Sequence, residues 1–338
     1  MRNGWIAGLL LGVSPLLGAQ VPEDAAPEQR AAAAAHHAYS ERIAPRLAES
    51  GQPRALAFAA LLRETGLRHG SDAAAPPADA RAREWREMAF ARAGSDLAAL
   101  TLLLAGTDDE DPIRAKALAR WRQLEPANLA PLLRDAEASP RQVLEAARTA
   151  TRMDTHAYAQ LRAMLDGYRS HPPTAEEADR LLGDADGRSG TLDAYAAIHG
   201  MGLLAAAMPN LQPLLEFCRD TATAAPTSIQ ADDCRNAGAL LMAGDTHLVR
   251  MLGFALAEEM VRDDDTYHVL NAARRRFDWQ MLQWGRLSAS APGGGIDDFV
   301  RLLRDPAIGD EPGLVERLLR EAGIPLDPPA GWQPPRRD

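Results

Sequence analysis

Apolar positions along this chain recur at alternating three- and four-residue steps, the spacing that lines one face of an α-helix. Ile113, Ala117, Trp121 and Leu124 form one such stripe, and Tyr158, Leu161, Leu165 and Tyr168 a second. Leu248, Leu252, Ala255 and Leu256 make a third; Leu270, Ala273, Phe277, Met281 and Trp284 make a fourth. Breakers separate the stripes. Ala73–Ala80 (AAAPPADA) reads as a linker, and Ser170–Thr174 (SHPPT) as a helix stop, because proline removes a backbone donor and disfavours a helical predecessor. Gly183–Gly190 (GDADGRSG) and Ser288–Gly295 (SASAPGGG) read as loops, and the Pro-rich tail after Leu326 as frayed. Asp108–Asp111 before Pro112 and Asp263–Asp265 before the fourth stripe are acidic helix starts, where carboxylates accept orphan N–H groups and face the positive dipole end.

Composition sharpens the fold class. Hydrophobic residues make up 46% of the 338 positions but aromatics only 5%, so the core is built from Ala and Leu. Val and Ile are sparse, which argues against strands, while Ala, Leu, Arg and Glu favour helices. The expectation is an all-α protein of stacked helical hairpins forming an α-solenoid or superhelical array.

Charge and the N-terminus narrow the function classes. The formal net charge is −10, which does not steer a protein toward nucleic acid or anionic lipid. Met1–Ala19 has the pattern of a secretory signal: Arg2, an apolar run from Trp5 to Val13, Pro15, then Leu17-Gly18-Ala19 as a cleavage site. That run is too short to span a bilayer, and no later stretch is long enough. The expected location is therefore periplasmic or secreted, in a bacterium, after cleavage near Ala19. The expected organisation is a signal over 1–19, an N-terminal repeat-like helical region over 20–182, a C-terminal helical region over 190–325 and a tail over 326–338.

Export decides how the two cysteines read. Cys218 ends the apolar segment LQPLLEFC and Cys234 begins CRNAGALLMAG. A structural disulfide stapling a helical hairpin is expected, worth ~3 kcal/mol for a loop of this length in the chain-entropy model. Catalytic dithiols are usually C-x-x-C, and two cysteines lack the partners that zinc requires.

Other candidate chemistry yields to simpler readings. Neighbouring His36 and His37 point to different helix faces. His199, in AAIHGMGLLAAA, reads as a core or interface histidine; paired with a carboxylate it would be the first place to look for a site assembled from distant residues. His247, after Asp245-Thr246, reads as a surface residue at a helix start. Leu182–Asp193 resembles a calcium loop through Asp184, Asp186, Gly187 and Asp193, but Leu182 supplies no ligand oxygen where the first ligand belongs. Glu49-Ser50 matches the catalytic pair of lytic transglycosylases, yet none of that family's downstream elements follows. Glu49 reads as the end of a helix, Ser50-Gly51 as a turn and Pro53 as the next helix start. No nucleophile elbow and no phosphate-cradling glycine loop occurs in the sequence. No cofactor, no metal and no catalytic residue is assigned.

Gly51–Gly66 (GQPRALAFAALLRETG) and Arg92–Gly106 (RAGSDLAALTLLLAG) echo each other at an offset of 41 residues. Leu56, Ala57, Leu61 and Leu62 match Leu97, Ala98, Leu102 and Leu103. Trp85, Met88 and Ala89 fall where tetratricopeptide repeats place W-x2-L-G; Ala117 and Trp121 fit their A-x3-F element, and Leu124–Asn128 (LEPAN) their L-x-P-x-N junction. The chain resembles that class of helical-repeat proteins over a minor part of its length, with Arg92 at the family's tyrosine position. The resemblance implies a scaffold that binds a protein or peptide partner in the cell envelope. The alternatives are an envelope enzyme with a dispersed, hydrolase-like site and a purely structural envelope protein.

Overall fold

The computed structural model describes residues 27–69, 79–105, 111–181, 191–206, 208–224, 227–261, 263–291 and 295–335. The signal-like segment, most of the 73–80 linker and the calcium-loop residues 182–190 lie outside them. Among the described residues every regular element is a helix, and the backbone bridge between Asn128 and Arg152 is isolated. The chain is all-α, as its composition and periodicity predict.

The helices run in the order α1 (Pro27–Glu49), α2 (Pro53–His69), α3 (Ala80–Ala93), α4 (Leu97–Leu102), α5 (Pro112–Leu124), α6 (Ala130–Leu133), α7 (Pro140–Ala147) and α8 (Ala157–Ser170). They continue with α9 (Ala175–Leu181), α10 (Leu192–Ala206), α11 (Gln212–Ala224), α12 (Ile229–Met242), α13 (His247–Met260), α14 (Asp264–Ser290), α15 (Ile296–Leu303) and α16 (Glu311–Glu321). Many of their starts carry side-chain caps, among them Asp263 and Asp111, which the sequence reading places at helix starts. Asp79, Asp96, Ser139, Ser228, Thr246, Asp263 and Asp310 each accept a backbone N–H of the helix they precede. Asp111 does the same for Ile113 at 2.7 Å.

Two compact units divide the chain: Met1–Ala117 with Ala159–Met208, and Leu118–Tyr158 with Pro209–Asp338. This partition differs from the expected division at residues 182–190, because residues 118–158 cluster with the C-terminal helices. Buried Val143, Leu144 and Ala147 of α7 and two polar links contribute. Arg148 grips Asp233 of α12 through two bonds of 2.8 and 2.7 Å, and Asn236 of α12 donates to the Ala147 carbonyl.

In the first unit α2 is the centre. Leu56 through Leu62 are all buried, so this helix is apolar all round and packs against both α1 and α3. Arg86 of α3, buried, donates to Asp111 at 2.9 Å and to the Leu103 carbonyl. The echoed segments differ in form: the first copy lies within α2, a helix of 17 residues, whereas the second contains α4, a helix of 6.

In the second unit α12 and α13 form a close antiparallel pair. A Cβ on Gly253 would lie 2.3 Å from the Met242 amide nitrogen and 2.6 Å from the Leu241 carbonyl carbon, so only glycine fits there. This approach changes the core face of α13. Its third-stripe residues Leu248 and Leu252 are half-buried and Ala255 is exposed, while Val249, Gly253, Phe254, Leu256 and Met260 are buried. One helix packed on two neighbours needs a face wider than the stripe predicts. α14 lies against the other side through Phe254 and Phe277, whose ring centroids are 5.2 Å apart.

Candidate functional site

Cys218 of α11 and Cys234 of α12 are joined by a disulfide, with both residues fully buried and a sequence separation of 16. Glu49 closes α1, Ser50 Oγ donates to the Leu47 carbonyl and Gly51 takes a left-handed φ of 65°, so this pair forms a turn, as the sequence reading holds.

His199 is buried in the first unit inside an aromatic group that holds three of the chain's five tyrosines. Its Nδ1 shares a hydrogen bond with the Tyr168 hydroxyl, and its ring lies 4.1 Å from that of His36. His36 Nδ1 in turn meets the Tyr195 hydroxyl. Burial pushes the Tyr168 and Tyr195 hydroxyls well above their ordinary titration range, so both stay protonated and serve as neutral hydrogen-bonding groups. The bond to Tyr168 ties α8 to α10 and fits the core reading of this histidine.

His247 is a correction. It is 5% exposed, not a surface residue. Its ring packs 5.6 Å from Phe277 and 5.8 Å from Trp284 of α14. Burial, with a smaller contribution from Arg250, drives its pKa down to about 3, so it is neutral at physiological pH. What the sequence hides is that the first position of α13 faces α14.

Around His247 sit two carboxylates with raised pKa values. Asp245 accepts from the Thr155 amide at 2.9 Å, the Thr155 hydroxyl at 2.7 Å and the Ala157 amide at 3.4 Å, so it caps the start of α8 from a distance. Glu311 accepts the His247 amide at 2.6 Å, and its own amide donates to the Asp245 carbonyl at 3.0 Å. Burial pushes Asp245 up to about 6 and Glu311 up to about 7, each against its hydrogen-bond donors. Such values suit acid–base chemistry, while both oxygens of Asp245 and Oε2 of Glu311 accept from groups at the starts of α8 and α13. The node is a structural lock.

A second polar knot lies in the same unit. Glu125, 7% exposed, accepts from Trp121, Asn128 and His156 at 2.8 Å each and pairs with Arg152 at 2.6 Å. Burial alone would raise its pKa; the bonds from Asn128, His156 and Trp121 outweigh that and hold it below the usual range. His156 carries a φ of 57°, uncommon for a side-chain-bearing residue. Asp154 Oδ1 accepts its amide at 2.8 Å, and Asn128 accepts the Asp154 amide at 3.0 Å. The LEPAN junction thus closes on itself through Glu125 and Asn128, a role that spacing alone does not reveal.

The surface carries a different signal. Among the described residues the exposed large hydrophobic side chains are Ile229 at 67%, Tyr267 at 54% and Val269 at 73%. All three belong to the second unit. Ile229 opens α12, and Tyr267 and Val269 lie in the first two turns of α14. The antiparallel pairings put both helix starts at the end where α13 stops. Residues 263–269 are exposed throughout, so this stretch of α14 forms without burying any face; Asp263 supports it by accepting the Thr266 amide at 2.8 Å. Cys234 lies in the second turn of α12, so the disulfide anchors this same end.

No family model, no curated protein and no solved structure matches this chain. Among the described residues no group of three or more His, Cys, Asp or Glu side chains is arranged to hold a metal ion, and no helix is long and apolar enough to cross a membrane.

Proposed function

We propose that this chain is an exported helical scaffold, a superhelical array of hairpins that binds a protein partner in the cell envelope through the exposed end of its second unit. One observation carries the reading: Ile229, Tyr267 and Val269, the large apolar side chains most exposed among the described residues, all stand at the starts of α12 and α14 in the second unit. Exposed apolar groups concentrated at one place are a recurrent mark of interaction sites. The reading is also in keeping with the hydrogen bonds that Asp245 and Glu311 make to groups at the starts of α8 and α13. Export, and the cleavage near Ala19, belong to the same proposal, and a buried disulfide is consistent with an oxidising compartment.

The test is a photo-crosslinking residue placed at position 269 of the full chain in its native cells, with position 83, exposed on α3 of the first unit, as control. The expected result is a discrete protein adduct from position 269 alone, in the envelope fraction. Absence of an adduct, or equal adducts from both positions, overturns the binding role. A full-length chain retained in the cytoplasm overturns export.

A further inference from the structure

α14 is the longest described helix, 27 residues from Asp264 to Ser290. Its buried positions are Leu270, Phe277, Gln280 and Gln283. Residues 264–269 and 271–273 are all exposed. Helices in proteins are held mainly by packing one face against a neighbour. The leading part of α14 has that support through Leu270 alone.

One exposed face of this segment has an order of its own. Asp265, Val269, Ala272 and Arg276 follow at steps of four, three and four residues, which places them within an arc of about 60°. The arc points about 120° away from Leu270 and Phe277, the residues that pack with Phe254 of α13. All four are exposed, Val269 at 73%. They span about 16 Å along the helix and read acid, large apolar, small apolar, base.

That order is its own complement under a two-fold axis between Leu270 and Asn271. In an antiparallel pair of such helices Asp265 faces Arg276 of the second copy and Val269 faces Ala272 of the second copy, and the axis repeats each contact. A large side chain opposite a small one lets two helices pack closely. Opposite charges meet at both ends of the contact, whereas a parallel pair in register would set like against like.

The charges at the two ends are placed for this. Asp263, not Asp265, makes the helix cap. Arg276 reaches Glu316 at 3.6 Å and Asp327 at 3.2 Å, with its side chain 45% exposed. Both contacts are longer than a tight arginine–carboxylate pair. A guanidinium carries five donors, so a further carboxylate adds to this group without displacing it.

We propose that this stripe is the contact of an isologous homodimer, in which α14 of a second copy packs antiparallel on α14. The inference rests on the binding role proposed above and names its partner as a second copy of this chain. A contact of about three turns per helix is small and belongs to the weak end of specific association, so the dimer forms with rising concentration.

The experiment uses the full chain. Sedimentation equilibrium from about 1 to about 300 μM should show a monomer–dimer equilibrium. Asp265→Arg sets arginine against Arg276 at both ends of the contact, and Arg276→Asp sets aspartate against Asp265. Each variant should weaken self-association at least about tenfold. An equimolar mixture of the two should recover wild-type association, because each contact of the mixed dimer is again an acid against a base. That recovery also shows that both variants fold. A wild-type chain that stays monomeric over the whole range overturns the proposal. So do single variants that dimerise as the wild type does, or a mixture that stays monomeric. At position 269, an adduct of twice the chain mass supports both readings. An adduct holding a different protein, with a monomeric wild-type chain, overturns the second copy and keeps the binding role. No adduct together with a monomeric chain overturns both.

Discussion

The two units handle their aromatic and polar residues in opposite ways. In the first, Tyr39, Tyr168, Tyr195, His36 and His199 turn toward one another, and the described surface exposes no large apolar side chain. Its aromatic group is joined by neutral contacts, hydroxyl to imidazole. In the second, Asp245 and Glu311 accept from groups at helix starts, and Ile229, Tyr267 and Val269 face solvent. Both units bury aromatic rings, but among the described residues only the second leaves large apolar side chains exposed, and it does so at its disulfide-stapled end. That contrast is the reason the proposed binding role is placed in the second unit.

The largest expected effect tests the first unit's closed interior. Tyr168→Ala removes a fully buried ring from the aromatic group and should cost about 4 kcal/mol, measured by urea denaturation. Tyr168→Phe removes only the hydroxyl shared with His199 and should cost about 1 kcal/mol. Hydrogen exchange should rise in α1, α8 and α10 and leave α12 to α14 unchanged; a rise in the second unit would break the contrast.

Next comes the staple. Cys218→Ala with Cys234→Ala should cost ~3 kcal/mol, with faster exchange in α11 and α12 and a weaker partner adduct from position 269. Equal thermal stability of the oxidised and reduced chain would show that the disulfide does not hold this end.

A smaller effect concerns pH. Glu311 and Asp245 have folded pKa values raised to about 7 and about 6. Each contributes stability that is present below its unfolded value, near 4, and is lost as pH rises through the folded one. His247, depressed to about 3, acts the other way: its contribution is full above about 6.5 and fades as pH falls below that. Between pH 4.5 and 6 the two carboxyls outweigh the single imidazole, and near pH 7 Glu311 acts alone. The thermal midpoint of the second unit should fall from pH 5 to pH 7.5, and Glu311→Gln should flatten that fall. A midpoint that rises over this range would contradict the burial of these groups. Smallest is Val269→Ser, which should move stability by less than about 0.5 kcal/mol while weakening binding. The contrast predicts this separation of stability from recognition.

Much of the fold was legible because it depends on neighbours in sequence. The Ile113–Trp121 and Tyr158–Tyr168 stripes are buried as their spacing implies, proline and glycine mark helix ends, and Asp111 and Asp263 cap the helices they precede. The cysteine pairing followed from having only two candidates. The signal for His247 was faint: Thr246 announced a helix start, but not which face would meet Phe277 and Trp284. The capping by Asp245 and Glu311 links residues 88 to 90 and 64 positions apart, beyond any local pattern.

The sequence by itself determined helicity, helix ends, caps and the staple, because periodicity, backbone geometry and hydrogen-bond competition act over a few residues. Tertiary structure alone decided the two-unit division, the glycine-tight approach of α12 and α13 and the long-range capping by Asp245 and Glu311. Which faces meet is a property of register between helices rather than of the pattern within any one of them.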